Sequence, residues 1–175
     1  CAHMRDEGDH VLAAMEETFR IGAELGVTAV ISHHKVAGLP NHGRTTETLP
    51  LFAQRAARQK VCLDCYPYDA SSTVLTEDRA EISARVLVAS SRPLPQYDGR
   101  DLDEVAAEMG VSRAQAIERL RPASGVYFMM AEADVQRVLA FEPTMIGSDG
   151  IPVGGNPHPR LWGTFPRVLG RYSRD

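Results

Sequence analysis

The apolar positions in the first third of the chain switch between helical and strand spacing. Over 10–25 they recur at intervals of three and four residues, which predicts an amphipathic helix that ends at Gly26. A continuous apolar run over 27–32, rich in β-branched residues, then predicts a strand that is covered on both faces. A helix over 45–60 and a strand over 61–66 repeat this order. Such alternation is typical of a parallel α/β sheet.

This rhythm is lost in the middle of the chain and returns near its end. Five later elements are predicted, namely helices over 101–110 and 112–121, a strand over 126–130, a helix over 132–141 and a strand over 144–148. We therefore interpret 69–131 as an inserted, mainly helical lid. The segments 1–68 and 132–175 are expected to form one α/β unit of the (β/α) barrel type.

Length and composition limit the possible functions. The 175 residues can bury one ordinary core, but a complete (β/α)₈ barrel needs about 250, so we expect a segment of a larger protein. The net charge of −4 argues against non-specific attraction to nucleic acid or to an anionic membrane, and no apolar run approaches a membrane span. Three cysteines, an odd number, predict reduced thiols and a cytoplasmic location. The Gly- and Pro-rich tail over 150–170 is expected to be a loop ordered by Trp162 and Phe165.

Ionisable residues stand where predicted strands end. His33 follows the strand over 27–32, Asp149 follows the strand over 144–148, and His3 lies just before the first helix. The carboxyl ends of the strands of a (β/α) barrel form one rim, which carries the active site. Because neutral imidazole is the commonest metal ligand, two histidines and a carboxylate at this rim suggest a divalent-metal hydrolase. An ordinary capping role for these residues is the alternative.

The cysteines offer a competing metal hypothesis. Cys62 and Cys65 have the spacing of a zinc or redox pair. Residues three apart on a strand face opposite sides, however, so the two thiols cannot easily share one metal and are better interpreted as core residues. The pairing of Cys1 with His3 is taken as accidental.

A helix-turn-helix is the alternative from another functional class. The segment 101–121 has the two short helices and the glycine-containing turn of that motif. Its second helix carries Arg113, Arg119 and Arg121, but its first helix is acidic and the chain has no basic stripe. An ordinary helical hairpin is therefore favoured over DNA binding.

Five strings of the chain are distinctive in combination. They are HMRDEG over 3–8, ISHHK over 31–35, LDCYPY over 63–68, GSDG over 147–150 and HPRLWGTFPR over 158–167. In this order they resemble the D-aminoacylase (N-acyl-D-amino-acid deacylase) family of the amidohydrolase superfamily, and the last string is the most specific. The resemblance implies a metal-dependent (β/α)₈ TIM barrel with an insertion over the site, of which about strands 5–8 are present here.

The resemblance also implies the roles of individual residues. His3 and His33 match metal ligands, and Asp149 matches the aspartate that acts as general base and then as general acid. The residues that match substrate-binding positions are Lys35, Tyr66, Ser72 and Arg160. A His-x-His pair and a metal-binding cysteine of the family lie upstream of this segment, so we expect this chain alone to be at best a weak enzyme.

The expected reaction is hydrolysis of the amide bond of an N-acyl-D-amino acid, which gives a carboxylate and a D-amino acid. One tight Zn²⁺ site is expected, with a second, weaker site as the alternative. A cyclic-amide hydrolase of the dihydroorotase or hydantoinase type and a non-catalytic fragment are the other hypotheses. The expected partner is this small molecule, without nucleic acid or membrane. The preferred side chain and the oligomeric state are left open.

Overall fold

The computed structural model of the chain describes residues 1–152 and 154–174. Helices and strands alternate through most of it, and the class is α/β, as predicted. The elements are α1 (Val11–Leu25), β1 (Ala29–Ile31), α2 (Thr45–Ala56), β2 (Val61–Cys65), β3 (Ala70–Val74), α3 (Glu77–Glu81), β4 (Arg85–Ser91), α4 (Leu102–Met109), α5 (Arg113–Leu120), β5 (Ala123–Phe128), α6 (Glu132–Leu139), β6 (Thr144–Ile146) and α7 (Arg160–Arg167). None of the helices in the described ranges is long and apolar enough to cross a membrane.

A parallel sheet carries the predicted strand ends. Its order is β1-β2-β6, with Ala29 paired to Val61 and Leu63 paired to Thr144. Ala2 adds a parallel bridge to Ile31 at the outer side of β1. The carboxyl ends of parallel strands meet at one edge of a sheet, so the residues that follow Ala2, β1, β2 and β6 are brought to the same side.

The parallel sheet is covered by two amphipathic helices. Val11, Met15 and Phe19 recur every four residues on α1 and are almost fully buried, as the periodicity predicted. The ring of Phe19 meets that of Phe52 on α2 edge-on, with centroids 6.2 Å apart. These side chains and Ile31 belong to one hydrophobic core, which is the core of the parallel sheet.

The segment 69–131 departs from the mainly helical lid that the sequence predicted. Its strands form an antiparallel sheet of order β3-β5-β4, and α3, α4 and α5 flank it. The segment was misread because β3 has the polar sequence ASSTV and because both faces of β4 are covered, which hides the alternation. A second core forms around Tyr127, Leu120 and Leu75, all fully buried. The segment is therefore an α+β unit, and its core also includes residues from the flanking segments, such as Tyr66.

The helical hairpin of α4 and α5 lies within this insertion, close to its predicted bounds. Ser112 and Gln115 form a capping box at the start of α5, and Ile117 of α5 is buried in the second core. Two of the three arginines form ion pairs, Arg113 with Asp103 and Arg121 with Glu118. These contacts fit an ordinary hairpin, and the absence of nucleic-acid binding stays a prediction.

The tail is not the loop that its glycines and prolines predicted. It contains α7, and the residues that fix this helix are the buried Arg160 and Thr164. Trp162 and Phe165 do not order the tail, because they are 64% and 56% exposed. Glycine is favoured at position 163, since a Cβ there would lie 2.5 Å from the hydroxyl of Tyr68 unless that side chain moved.

Candidate active site

All seven residues predicted for the site line one cavity. It has a volume of about 240 Å³ and lies beyond the carboxyl ends of the parallel strands, where β3 closes one side. The predicted residues in its wall are His3, His33, Lys35, Tyr66, Ser72, Asp149 and Arg160. Their chemical roles remain predictions.

A pair of histidines forms one end of the cavity. The Nδ1 atom of His3 lies 2.9 Å from the Nε2 atom of His33, and the ring centroids are 4.7 Å apart. His33 is buried, whereas His3 is exposed on one side. Burial lowers the pKa of His3, although Glu7 acts in the opposite direction. His3 therefore favours the neutral imidazole that metal ions bind.

Glu7 stands behind this pair and was not predicted as a site residue. Its Oε1 atom lies 3.0 Å from Nδ1 of His33 and 2.7 Å from Nζ of Lys35. Burial on its own would raise the pKa of Glu7, but the charge of Lys35 and the hydrogen bonds from His33 and Lys35 lower it to about 2. Burial also lowers the pKa of Lys35, against the opposing effect of Glu7. The sequence signal was modest: Glu7 is four residues after His3 in the same string.

The backbone at two of the predicted residues is left-handed. His33 has φ 44° and Asp149 has φ 46°, a region that non-glycine residues seldom occupy. At His33 the conformation is held by Asp64, whose Oδ1 accepts the backbone N–H at 2.8 Å. The same carboxylate explains why residue 147 is a glycine, because a Cβ at that position would lie 2.7 Å from Oδ1 of Asp64.

The opposite end of the cavity is built around a buried arginine. Arg160 is 2% exposed, and its Nη2 atom lies 2.9 Å from Oδ2 of Asp149 and 3.2 Å from the carbonyl oxygen of Ser72. Its guanidinium covers the ring of Tyr66 at 4.5 Å, and Nζ of Lys35 lies 5.6 Å from the same ring. Burial raises the pKa of Tyr66, although Arg160 acts in the opposite direction, so the phenol is protonated at neutral pH.

Three polar atoms at this end have no hydrogen-bond partner among the described residues. They are the hydroxyl of Tyr66 and the Nε and Nη1 atoms of Arg160, all buried. A buried donor without a partner costs about 1–3 kcal/mol. All three can donate a hydrogen bond, so an entering carboxylate or carbonyl oxygen would satisfy them.

Other residues of the cavity carried no sequence signal that we recognised. Ser71 and Thr73 of β3 line it, and Arg79 reaches it from α3. They belong to the segment 69–131, and its fold brings them beside the histidines. His34, by contrast, turns into the core, where its Nε2 atom lies 2.9 Å from the hydroxyl of Thr48.

The donor atoms at the histidine end suit a metal ion. His3, Glu7 and His33 offer ligand atoms that all lie within 4.8 Å of one another, and they form the one such group of three found in 1–152 and 154–174. Imidazole nitrogens and carboxylate oxygens are ligands of catalytic zinc. The three cysteines lie outside this group, in agreement with their interpretation as ordinary thiols.

Comparison with known proteins identifies relatives over the whole chain. No protein-family model matches it. D-aminoacylase from Alcaligenes xylosoxydans xylosoxydans is 62% identical over 173 residues, which are 99% of this chain and 36% of the relative. N-acyl-D-aspartate deacylase from the same organism is 50% identical over 99% of this chain and 35% of that protein. The chain thus spans about a third of the length of the curated relatives it matches.

Solved structures give the same result for the fold. A D-aminoacylase crystal structure, described as defining a novel subset of amidohydrolases, matches with a TM-score of 0.93 and 57% identity over 99% of this chain and 37% of that one. N-acyl-D-glutamate deacylase from Bordetella bronchiseptica, in complex with zinc and a phosphonate inhibitor, matches with a TM-score of 0.94 and 43% identity over 98% of this chain and 36% of that one. In sequence and in fold, the chain therefore corresponds over its whole length to about a third of a D-aminoacylase or N-acyl-D-amino-acid deacylase, which confirms the resemblance seen in its motifs.

Proposed function

We propose that this chain carries much of the active site of a metal-dependent hydrolase that cleaves the amide bond of N-acyl-D-amino acids. The observation that carries the proposal is the single cavity that holds all seven predicted residues, with facing imidazoles at one end and a buried arginine at the other. The high identity to D-aminoacylase supports the same reaction. The products are a carboxylic acid and a D-amino acid.

The proposal includes the architecture of a partial TIM barrel. Ala2, β1, β2 and β6 lie side by side in parallel order, as strands 5–8 of a (β/α)₈ barrel would. On this reading 1–68 and 132–175 are barrel segments, and 69–131 is an insertion that covers the site. The position of β3 across one side of the cavity supports the covering role.

His3 and His33 are proposed to hold a Zn²⁺ ion, because their facing nitrogens provide the donors that zinc uses. Zinc bound there would polarise the amide carbonyl and lower the pKa of a water molecule. One solved D-aminoacylase structure is described as having a binuclear metal centre, with activation by one metal and attenuation by the second. This description supports one tight site here, with a second, weaker site near Asp149.

Asp149 is proposed as the catalytic acid and base. Arg160 holds its carboxylate at 2.9 Å, yet a third of the side chain remains exposed toward the cavity. The carboxylate is thus placed to accept a proton from the attacking water and to return it to the nitrogen of the leaving amine.

The buried arginine end is proposed to bind the substrate's carboxylate and acyl group. Arg160 presents Nε and Nη1, and Tyr66 presents its hydroxyl, without other partners in the described part of the chain. An arginine suits a carboxylate because its planar donors can form two parallel hydrogen bonds. Lys35 also lies over the Tyr66 ring, and Ser72 of β3 accepts a hydrogen bond from Arg160 through its carbonyl oxygen. Anchoring the carboxylate, the carbonyl and the side chain at separate points selects one enantiomer.

The test is the release of amino acid by the zinc-loaded, purified protein. N-acetyl-D-amino acids should be hydrolysed and their L-enantiomers should not, and His33→Ala should abolish turnover. Equal turnover of both enantiomers would contradict the proposal. Turnover of dihydroorotate or a hydantoin in place of the linear amide would favour the cyclic-amide alternative, and no turnover of any of these would favour a non-catalytic segment.

A further inference from the structure

His158 lies against the backbone of Arg160 at the start of α7. Its Nδ1 atom accepts the backbone N–H of Arg160 at 2.9 Å, and only 4% of the residue is exposed. Arg160 is the first residue of the helix, and Pro159 before it has no side-chain acceptor. The first N–H groups of a helix have no partner within the helix. His158 therefore takes the role that a capping side chain usually has.

This contact defines the chemical state of the His158 ring. A backbone N–H can only donate, so Nδ1 must be unprotonated and the neutral ring carries its proton on Nε2. Burial lowers the pKa of His158 to about 4, the charge of Arg160 adds to this effect, and a hydrogen bond to the backbone of Ala70 opposes it. The ring of Tyr68 meets the imidazole edge-on, with centroids 5.0 Å apart. The imidazole is thus held by Arg160, Ala70 and Tyr68.

The start of α7 is attached to β3 at two places. His158 is bonded to the backbone of Ala70, which is the first residue of β3. Nη2 of Arg160 donates to the carbonyl oxygen of Ser72 at 3.2 Å. The partners on β3 are two residues apart, as are His158 and Arg160 themselves. Together these contacts fix where α7 begins relative to the wall of the cavity that β3 forms.

We propose that His158 is a positioning residue that aligns the guanidinium of Arg160 with the cavity. Nδ1 of His158 holds the backbone of Arg160, and Asp149 holds Nη2 at 2.9 Å, so both ends of this side chain are fixed before a ligand enters. Nε and Nη1 have no hydrogen-bond partner in the described part of the chain. A guanidinium forms two parallel hydrogen bonds to a carboxylate only when its donors point toward it. His158 does not line the cavity, so it acts through Arg160.

The inference rests on the proposed function, in which Arg160 binds the carboxylate of the substrate. His158→Asn and His158→Leu form a matched pair, because the two new side chains have nearly the same shape but only asparagine has an acceptor at the place of Nδ1. His158→Leu should weaken binding of an N-acetyl-D-amino acid to the zinc-free protein by about tenfold, the equivalent of about 1.4 kcal/mol. His158→Asn should bind like the wild type. Equal affinities of His158→Leu and the wild type would overturn the inference.

A double variant distinguishes positioning from a general effect on the fold. Arg160→Met removes the proposed carboxylate contact and should weaken binding. Adding His158→Leu to it should cause no further loss, because residues that act through one contact are not additive. A further tenfold loss would show that His158 acts by another route. Tyr172→Phe is the control, since it removes a 2.8 Å hydrogen bond to Glu132 beyond the other end of α7 and should not change the affinity.

Amide hydrogen exchange at Arg160 measures the contact without ligand, metal or turnover. The N–H of Arg160 should be protected in the wild type and in His158→Asn, and it should exchange faster in His158→Leu. Equal protection in the two variants would contradict the role of Nδ1. If His158→Leu does not fold, His158→Phe replaces it, since that side chain keeps a planar ring without a nitrogen.

The same samples distinguish a failure of the proposed function from a failure of the inference. A wild type that does not bind the N-acetyl-D-amino acid would contradict the proposed function. The Nε–H signal of Arg160 in ¹⁵N–¹H spectra would then still decide the alignment. This signal should move in His158→Leu and stay in place in His158→Asn, and an unchanged signal in both would overturn the inference.

Discussion

The carboxylate of Asp64 holds the backbone of His33 in its left-handed conformation. Oδ1 of Asp64 accepts the backbone N–H of His33 at 2.8 Å, and Oδ2 lies 3.3 Å from the hydroxyl of Ser32. His33 follows the strand β1 by two residues, and Asp64 belongs to the neighbouring strand β2. The direction of the His33 side chain is therefore set from an adjacent strand rather than by its own loop.

Replacing Asp64 by Ala should destabilise this turn and the metal site together. The backbone N–H of His33 would lose its acceptor, and a buried donor without a partner costs about 1–3 kcal/mol. We expect the free energy of unfolding in urea to fall by that amount and Zn²⁺ affinity to fall with it. Asp103→Ala, which removes an exposed surface partner of Arg113, is the control. Unchanged zinc binding in Asp64→Ala would show that the turn holds itself.

Gly147→Ala should also be destabilising, although alanine adds a single methyl group. The new Cβ would lie 2.7 Å from Oδ1 of Asp64, a distance at which one of the two must move. Overpacking of this kind typically costs about 1–3 kcal/mol. Gly170→Ala is the matched control, because no atom lies within 4 Å of a Cβ there. Equal unfolding free energies for the two variants would contradict the predicted clash.

Tyr66→Phe should separate stability from activity. It removes a buried hydroxyl that has no partner among the described residues, so we expect the free energy of unfolding to stay equal or to rise by about 1 kcal/mol. The kcat/KM for an N-acetyl-D-amino acid should fall about tenfold, the equivalent of one weak hydrogen bond of about 1.4 kcal/mol. A loss of stability without a loss of activity would assign Tyr66 to the core.

Tyr127→Phe is the control for that variant, with the opposite expectation. The hydroxyl of Tyr127 donates to the carbonyl of Val74 at 2.7 Å and accepts the backbone N–H of Thr76 at 2.8 Å. Its removal leaves both backbone groups without this partner and should lower the free energy of unfolding by about 1–3 kcal/mol. Activity per folded molecule should change little, because Tyr127 lies in the core of the insertion.

The buried His34 predicts a dependence of stability on pH. Burial lowers the pKa of His34 from 6.5 to about 4. The unfolded chain therefore binds this proton at a higher pH than the folded chain, so the free energy of unfolding should decrease as the pH falls from about 6.5 to about 4, by up to about 3 kcal/mol. His158, whose pKa burial also lowers to about 4, adds to the slope in the same window.

Urea unfolding at several pH values between 7 and 4 measures this slope. His34→Gln should flatten it. An unaltered slope in His34→Gln would contradict the prediction.

Glu7 contributes to stability over a lower pH range. Its pKa in the folded chain is about 2, below the usual 4.5, so the stabilisation that it provides is lost as the pH falls between these two values.

The sequence was informative where one local rule fixed the outcome. Helical spacing predicted α1, and Gly26 predicted the exact residue at which this helix ends, because a glycine readily adopts the left-handed conformation that ends a helix. Polar residues at the ends of apolar strands predicted that His33 and Asp149 would lie together, because parallel strands share one edge, whereas the resemblance to a known family indicated the remaining predicted residues except His3. Both signals are contained in a few consecutive residues.

The parts that were missed depend on contacts between distant residues. The short strand β3 is polar and becomes a strand through its pairing with β5, more than fifty residues later in the chain. Helix α7 contains a glycine and a proline, and its position depends on buried Arg160. Glu7 acquires its importance from Lys35, which only the fold brings to its side chain.

The two cores described above support different walls of the cavity. The histidine wall rests on the core of the parallel sheet, whereas the wall formed by β3 and α3 rests on the second core, to which Tyr66 also belongs. A substitution at Thr73 changes the shape of the cavity from the β3 side, whereas a substitution at Arg79 also acts on His3, because the charge of Arg79 lowers the pKa of that histidine. The wall formed by β3 is therefore the part of the cavity whose shape can be changed while every residue of the histidine wall is kept.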